Sequence, residues 1–307
     1  TLGKGGVGSS ILLGGTIFLE EKILIKIKEY FYLFKVHHWI KNLIIFLPIL
    51  VGHSFLSSNI INYIVYFLIL SFLSSIIYFF NNLNDYKEDT KNKVLKYKLN
   101  LEKKRNYYIF GIVIFFILIN ITFFINQTIF IICFFYFLLS LFYNFYLKRK
   151  KYLDIFILSL FHILRIVYGS IAFNVELSAY FILFCSAIFL MIGSNKRLIE
   201  IDSLYTNRPY KIDDKRKIQI FQLFSGIFAI LVFFLYSVDP AKNQFFIFEE
   251  IIYVNLILII LIIVNFLFFQ KDRNQDIIIF IYNNKINFFL VVVFLIIYVG
   301  NSVSFYN

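Results

Sequence analysis

The residue types best suited to chemistry lie in a polar stretch that follows a long apolar run. The run covers residues 61–80, and the stretch reads NNLNDYKED from residue 81 to residue 89. If the helix continues, Asn81, Asp85 and Asp89 share one face, with Asn82 beside them. Amide and carboxylate oxygens are ligands that Mg²⁺ accepts, and it usually shares them with substrate phosphates. The stretch indicates either a metal–phosphate site or a solvated helix end whose acids pair with lysines.

Two further polar clusters follow later apolar runs. Lys196, Arg197 and Glu200 come after the apolar run 177–194, and Tyr143 and Lys148 come at the end of the run 129–147. Lys196 and Glu200 are four residues apart, so they form either part of a phosphate-binding group or an ordinary surface pair. Tyr143 and Lys148 are either substrate ligands or the tyrosine and lysine that commonly mark a membrane boundary.

Arg165 lies in the middle third of the apolar run 153–173, near His162 and Tyr168. An ionisable residue at membrane depth is costly and is by default a functional candidate. Asp154 lies eleven residues earlier, on the same face after three turns. We expect both residues to face a cavity, and the alternative is a structural arginine bonded to helix carbonyls.

The composition indicates a polytopic membrane protein of the all-α class. Sixty per cent of the 307 residues are hydrophobic, well above the share in soluble domains. The apolar residues form blocks long enough to cross a bilayer. We predict a bundle of nine transmembrane helices: 43–55, 61–80, 107–125, 129–147, 153–173, 177–194, 218–238, 251–269 and 286–304. The first is short and contains Pro48, so we expect it to extend back to Trp39. Residues 1–35 are expected to form a partly amphipathic N-terminal segment, and residues 36–307 a single transmembrane domain.

The net charge of +12 follows a topological pattern. Lysine and arginine concentrate before the first span and in every second connection, while the other connections hold only Lys242. By the positive-inside rule the N-terminus and the long basic loops are cytoplasmic. The charge therefore requires no nucleic-acid partner. A composition rich in Phe, Ile, Lys, Asn and Tyr suggests an AT-rich bacterial genome, and hence a bacterial plasma membrane.

Several motifs together resemble the UbiA superfamily of membrane prenyltransferases. Residues 81–89 resemble its N-D-x-x-D-x-x-x-D motif, with Asn82 in place of the first aspartate. The similarity is closer to the branch of decaprenyl-phosphate phosphoribosyltransferase (polyprenylphosphoryl phosphoribose synthase). The matching segments, in order, are Trp39-Ile40-Lys41-Asn42, Phe46-Leu47-Pro48, Tyr143 to Lys148, Leu153-Asp154, Leu164-Arg165 with Gly169, and Lys196 to Glu200.

The resemblance implies the transfer of 5-phosphoribose from phosphoribosyl diphosphate to polyprenyl phosphate, with Mg²⁺ as cofactor. It implies metal ligands at Asn81, Asn82, Asp85 and Asp89. It implies catalytic roles for Asp85, Asp89, Lys196, Glu200 and Arg165. It implies substrate-binding roles for Lys41, Asn42, Tyr143, Lys148, Arg197 and Asp154.

Two alternatives remain at this stage. The first is prenyl transfer from an isoprenyl diphosphate to an aromatic or other ring acceptor. Superfamily members with that activity carry a second D-x-x-x-D motif, where this chain has Lys196 and Glu200. The second is a lipid transporter or flippase, which is expected to show an inverted repeat and polar groups near the midplane of the membrane.

Overall fold

The described part of the chain is helical in every regular element. The computed structural model describes residues 33–51, 60–91, 104–202 and 209–239, together with positions 256, 259, 260, 289, 292 and 293. For residues 51, 87–91 and 104 only the backbone is described. The α-helices are α1 (Leu47–Val51), α2 (Ile60–Lys91), α3 (Lys104–Ile125), α4 (Gln127–Phe145), α5 (Leu153–Phe173), α6 (Ala179–Asp202) and α7 (Lys215–Val238).

Six of these helices, α2 to α7, are long and apolar enough to cross a membrane. The protein is therefore a multi-pass membrane protein, and the spans predicted second to seventh are confirmed. The last two predicted spans, 251–269 and 286–304, fall outside the described residues except at single positions. The count of nine therefore remains a prediction.

The first predicted span, 43–55, extends back past Trp39, as its short length and Pro48 indicated. A 3-10 helix covers Val36–Phe46 and passes into the short helix α1. Pro48 lies at the second position of α1, where a helix needs no backbone N–H from it. The apolar helical stretch therefore begins at Val36, close to the start expected at Trp39, and residues 52–59 lie outside the described part.

The chain forms two compact units. The first comprises residues 1–43 and 67–133, and its described core contains Leu33, Phe79, Leu83 and Tyr86. Side chains on the outer faces of α3, such as Phe116 and Phe124, are exposed, as expected for surfaces that meet lipid.

The second unit comprises residues 44–66 and 134–307. Here α6 packs against both α5 and α7. The approach of α5 to α6 is close at Gly193, where a Cβ atom would lie 3.2 Å from the Cγ2 atom of Ile155. α5 ends at Asn174, whose φ of 55° is left-handed, a conformation that asparagine tolerates at a helix C-terminus. One end of this unit therefore brings together the C-terminus of α6 and the N-terminus of α5.

Candidate active site

The first polar motif occupies the C-terminal part of α2, in the first unit. The helix runs without a break to Lys91, as the motif required. Asn81 and Asp85 are both half-buried and lie on one face because they are four residues apart. Asp89 follows one turn later, and its side chain is outside the described part. Across the side chains that are described, no three His, Cys, Asp or Glu residues are grouped so as to hold a metal ion.

Asn82 points elsewhere. It is 1% exposed, and its Nδ2 atom donates a hydrogen bond of 2.7 Å to the carbonyl oxygen of Leu33. Asn82 lies about 100° around α2 from Asn81 and about 60° from Asp85, at the edge of their shared face, and this hydrogen bond directs its amide group into the core. This contact favours a structural role, joining α2 to the chain before the first span, over the predicted role as a metal ligand.

Tyr108 on α3 is a neighbour of the motif that sequence reasoning missed. Its hydroxyl donates a short hydrogen bond to the Oδ1 atom of Asn84, and its ring stacks on Phe80 at 6.0 Å. Asn84 directly precedes Asp85, so this bond restrains the turn of α2 that carries the carboxylate. No spacing in the sequence relates position 84 to position 108.

The segment around Trp39 and Asn42 is fastened to α2 by serines. The indole nitrogen of Trp39 donates to Ser75 at 2.8 Å. The Nδ2 atom of Asn42 donates to Ser71 at 3.1 Å, and its Oδ1 atom accepts from Ser74 at 3.4 Å. Asn42 is 1% exposed, so it acts as a buried link between the 3-10 helix and α2, whereas the neighbouring Lys41 is only partly buried.

Arg165 lies buried within α5 in the second unit, as its position in the apolar run predicted. Its Nη1 atom lies 3.1 Å from the Nδ1 atom of His162, and its Cζ atom lies 5.8 Å from the ring centre of Tyr136. The His162 ring stacks on Phe189 at 4.6 Å. The guanidinium is therefore held between an imidazole and an aromatic face.

The densest polar arrangement in the second unit surrounds Arg197 on α6. Its Nε atom lies 2.5 Å from the Oδ2 atom of Asp154, its Nη2 atom donates to the hydroxyl of Tyr143 at 3.0 Å, and its Nη1 atom forms a short ion pair with Glu200. The side chains of Arg197 and Asp154 are both fully buried. A buried ion pair is stable only when its groups are well paired, and here Nη1 and Nη2 each donate a hydrogen bond to a protein oxygen while Nε makes an ion-pair contact with Asp154 without a hydrogen bond. This burial favours a positioning role for Arg197 over the predicted direct contact with phosphate.

Tyr210 completes this network from the connection between α6 and α7. Its hydroxyl donates a short hydrogen bond to the Oδ1 atom of Asp154 and accepts one of 2.7 Å from the backbone N–H of Tyr152. Burial, followed by the bond to Asp154, raises the pKa of the Tyr210 phenol, so the hydroxyl keeps the proton that it donates. Sequence reasoning missed this residue because it is 56 positions from Asp154.

Tyr152 has an unusual backbone, with a φ of 62° directly before α5. A positive φ of this kind costs a residue with a side chain roughly 1–3 kcal/mol and persists where the surroundings impose it. The hydrogen bond from its N–H to Tyr210 is one such restraint.

The remaining predicted cations are more accessible. Lys196 is exposed, although its neighbour Arg197 is fully buried, and Lys148 is half-buried in a 3-10 helix that covers Leu147–Arg149. Arg197 therefore joins the motifs that sequence reasoning identified before and after α5, since it contacts Tyr143, Asp154 and Glu200.

Comparison with solved structures places the fold. The chain is similar to a structure of digeranylgeranylglyceryl phosphate synthase, with a TM-score of 0.64 and 16% identity over 91% of this chain and 99% of that chain. It is also similar to a UbiA homolog from Archaeoglobus fulgidus bound to Cd²⁺, with a TM-score of 0.62 and 11% identity over 89% of this chain and 98% of that chain. At these identities the likeness concerns the fold alone.

Sequence comparison identifies the family. The chain is 25% identical over 208 residues to the nodulation protein NoeC of Azorhizobium caulinodans, covering 64% of this chain and 67% of the relative. Residues 43–299 match the UbiA prenyltransferase family, which is most of the chain. This protein therefore belongs to the UbiA prenyltransferase family.

Proposed function

We propose that this protein transfers 5-phosphoribose from phosphoribosyl diphosphate to polyprenyl phosphate in the membrane. The observation that carries the proposal is the arrangement on α6, where Glu200 is paired with Arg197 and Lys196 is exposed. By the resemblance stated above, superfamily members that prenylate ring acceptors carry two aspartates there, for a second metal ion. A single carboxylate engaged by a guanidinium, beside an added cation, suits a donor that carries more phosphate and needs less metal.

The first motif suits a divalent cation in the chemistry of its donor atoms. Asn81 and Asp85 offer an amide oxygen and a carboxylate on one half-buried face, and Asp89 follows on the next turn of the same helix. These are oxygen ligands of the kind that Mg²⁺ takes together with substrate phosphates. When bound, Mg²⁺ would neutralise charge on the diphosphate of the donor. We therefore propose Asn81, Asp85 and Asp89 as its ligands.

Exposed and partly buried lysines are proposed to bind phosphate oxygens of the substrates. Lys196 is exposed, and Lys41 and Lys148 are half-buried, so each ammonium group is accessible from outside the protein core. Lysine is a suitable point charge for phosphate. Arg165 and Asp154, both buried in the second unit, are proposed to orient the site from within.

The proposed reaction is a direct displacement. An oxygen of the lipid phosphate attacks C1 of the ribose, the bond between C1 and the diphosphate oxygen breaks, and diphosphate leaves with the electron pair. Negative charge develops on the leaving group, so fixed cations and hydrogen-bond donors lower the barrier. The proposal needs no covalent intermediate with the protein.

Prenyl transfer from an isoprenyl diphosphate to a ring acceptor is the second candidate. It is favoured by membership of a prenyltransferase family, and it uses the same first motif. The two candidates differ in the group that reaches the acceptor, so labelled donors separate them.

We further propose that the protein lies in a bacterial plasma membrane with its N-terminus and its reactive groups on the cytoplasmic side. The basic residues support this orientation: Lys148 and Lys151 precede α5, Lys211 precedes α7, and Lys215 and Lys217 lie in the first turn of α7. Lys151 pairs with Asp214 at 2.7 Å, so these two connections lie at one end of the second unit. Labelling of single cysteines introduced at Lys150 and Glu176, one at each end of α5, tests the orientation. Greater labelling of the Lys150 position from outside the cell would contradict it.

The transfer itself is tested with purified protein, Mg²⁺, polyprenyl phosphate and labelled phosphoribosyl diphosphate. The proposal predicts label in the lipid phase, and a loss of at least about 100-fold in Asp85→Asn, which removes a carboxylate ligand. Glu176→Gln is the matched control, since Glu176 is exposed at the other end of α5. Label carried instead by an isoprenyl diphosphate would favour the second candidate, and label in neither assay would reject both.

A further inference from the structure

The hydroxyl of Tyr210 bridges two parts of the second unit that are far apart in sequence. It accepts a hydrogen bond of 2.7 Å from the N–H of Tyr152, directly before α5, and donates one to the Oδ1 atom of Asp154. Tyr210 is 9% exposed and packs with Ile155 and Ile218. One phenol therefore ties the connection between α6 and α7 to the first turn of α5.

Asp154 passes this restraint to α6. Its Oδ1 atom is held by Tyr210, and its Oδ2 atom lies 2.5 Å from the Nε atom of Arg197. Both ionised side chains are fully buried, so neither can relax into water if a partner is removed. The position of Arg197 is thus set from the α6–α7 connection through a single carboxylate.

Arg197 in turn contacts the two groups at the edge of the network. Its Nη1 atom pairs with Glu200, and its Nη2 atom donates to the hydroxyl of Tyr143 at 3.0 Å. A guanidinium is planar and rigid, so fixing its Nε atom fixes the directions of both Nη atoms. Glu200 is the most accessible side chain of the five, at 21% exposure.

The geometry points to Tyr210, Asp154 and Arg197 as a linked series of positioning residues. They act by orienting Tyr143 and Glu200, and Glu200 is the accessible member of the group. The inference rests on the proposed function for its kinetic consequence. It gives a role to Tyr210, and it makes Arg197 an orienting group for its neighbours instead of a phosphate ligand.

A second set of contacts holds the connection between α6 and α7 in place, so the role of the Tyr210 hydroxyl can be tested without unfolding that connection. The Oδ2 atom of Asp214 accepts hydrogen bonds from the Nζ atom of Lys151 at 2.7 Å and from the N–H of Lys211 at 2.8 Å. The connection before α7 therefore stays attached to the turn before α5 when the Tyr210 hydroxyl is removed. Tyr210→Phe keeps the buried ring and deletes only the two hydrogen bonds.

Tyr180→Phe is the matched control. The Tyr180 hydroxyl also donates to a carboxylate, Asp239, at 3.2 Å, but it lies at the opposite end of α6. For Tyr210→Phe we expect kcat to fall about 10- to 100-fold, the range expected when a hydrogen bond to a charged group is lost. The KM for the donor should stay within about threefold, because donor binding is proposed to rest on the metal motif and the lysines. For Tyr180→Phe both constants should stay within about twofold.

A purely structural role for Tyr210 predicts a different pattern. The variant would then lose thermal stability while its folded fraction kept the kcat of the wild type, and that result would overturn the inference. An equal loss of kcat in Tyr180→Phe would overturn it as well.

Failure of the proposed function is recognised separately. If the wild type transfers neither phosphoribose nor a prenyl group, the proposed function is rejected. The energetic coupling between Tyr210, Asp154 and Arg197 is then measured by thermal unfolding alone. Tyr210 and Arg197 both contact Asp154. The loss of stability in the double variant Tyr210→Phe, Arg197→Lys should therefore be smaller than the sum of the losses in the two single variants. Additive losses of stability would show that Tyr210 and Arg197 are not coupled through Asp154.

Discussion

Gly169 on α5 provides a sharp test of the packing in the second unit. A Cβ atom at this position would lie 2.0 Å from the carbonyl oxygen of Ile45, 2.8 Å from its carbonyl carbon and 2.9 Å from its Cα atom. All three are backbone atoms, and Ile45 is fully buried. Gly169→Ala therefore cannot be accommodated by the rotation of a side chain.

The magnitude follows from two opposed effects. Carbon–oxygen contacts are normally no closer than about 3.3 Å, so the alanine requires a separation of roughly 1.3 Å between α5 and the backbone of Ile45. Overpacking of a core costs about 1–3 kcal/mol, and a rigid backbone neighbour puts Gly169→Ala at or above the upper end. Alanine is favoured over glycine within a helix by about 1 kcal/mol. We expect a net loss of about 2 kcal/mol, or a Tm lower by about 4–8 °C.

Two other glycines serve as controls in the same experiment. At Gly193 the nearest contact of a Cβ atom is a side-chain methyl group of Ile155, at 3.2 Å, and at Gly111 it is the ring tip of Phe80, at 2.8 Å. Gly193→Ala should leave the Tm unchanged or raise it, and Gly111→Ala should fall between the two. The measurement is thermal unfolding of the purified protein in detergent, followed by circular dichroism. A Tm for Gly169→Ala equal to that of the wild type, or below it by no more than Gly193→Ala, would refute the reasoning.

Three further predictions concern the buried polar groups. Arg197→Met should destabilise the protein by about 3–5 kcal/mol, since it leaves Asp154 charged and buried, and adding Asp154→Asn should restore part of the loss; equal Tm values for the single and double variants would contradict this. Asn42→Ala should cost about 1–3 kcal/mol because it removes hydrogen bonds to two buried serines, whereas Asn120→Ala, at an exposed site, should cost less than about 0.5 kcal/mol; thermal unfolding compares them. The raised pKa of Tyr210 means that its contribution to stability is complete below about pH 10 and is lost as the pH rises toward the folded-state pKa, so Tyr210→Phe should lose less stability than the wild type between neutral pH and about pH 11. Parallel pH–stability curves for the two proteins would contradict the last prediction.

The long helices could be predicted from the sequence because lipid imposes a simple constraint. A segment of about 20 apolar residues satisfies its own backbone only as a helix, so apolar run length gives helix position. The span predicted at 153–173 coincides with α5, and that at 107–125 lies within α3. The first span extends back as its short length and Pro48 indicated, but apolar run length does not describe its 3-10 conformation over Val36–Phe46.

The site was predictable where it depends on helical spacing and unpredictable where it depends on tertiary contacts. Asn81 and Asp85 share a half-buried face, as their spacing required. Asn82 was grouped with them by its spacing of three residues from Asp85 and by the resemblance to the family motif, yet its amide bonds to Leu33 in the core. Tyr210 reaches Asp154 across 56 positions, and no periodicity links them. Residue type and spacing therefore identified Asp154 and Arg197 as candidates, but not the partner that holds them.

The central claim is the identity of the transferred group, and a single assay measures it most directly. Purified protein is incubated with Mg²⁺, polyprenyl phosphate and phosphoribosyl diphosphate labelled in the ribose, and the lipid phase is counted for the wild type and for Asp85→Asn. The proposal predicts label in the lipid that depends on Mg²⁺ and falls at least about 100-fold in the variant. A wild-type lipid phase without ribose label, in a preparation that transfers a prenyl group from an isoprenyl diphosphate, would contradict it.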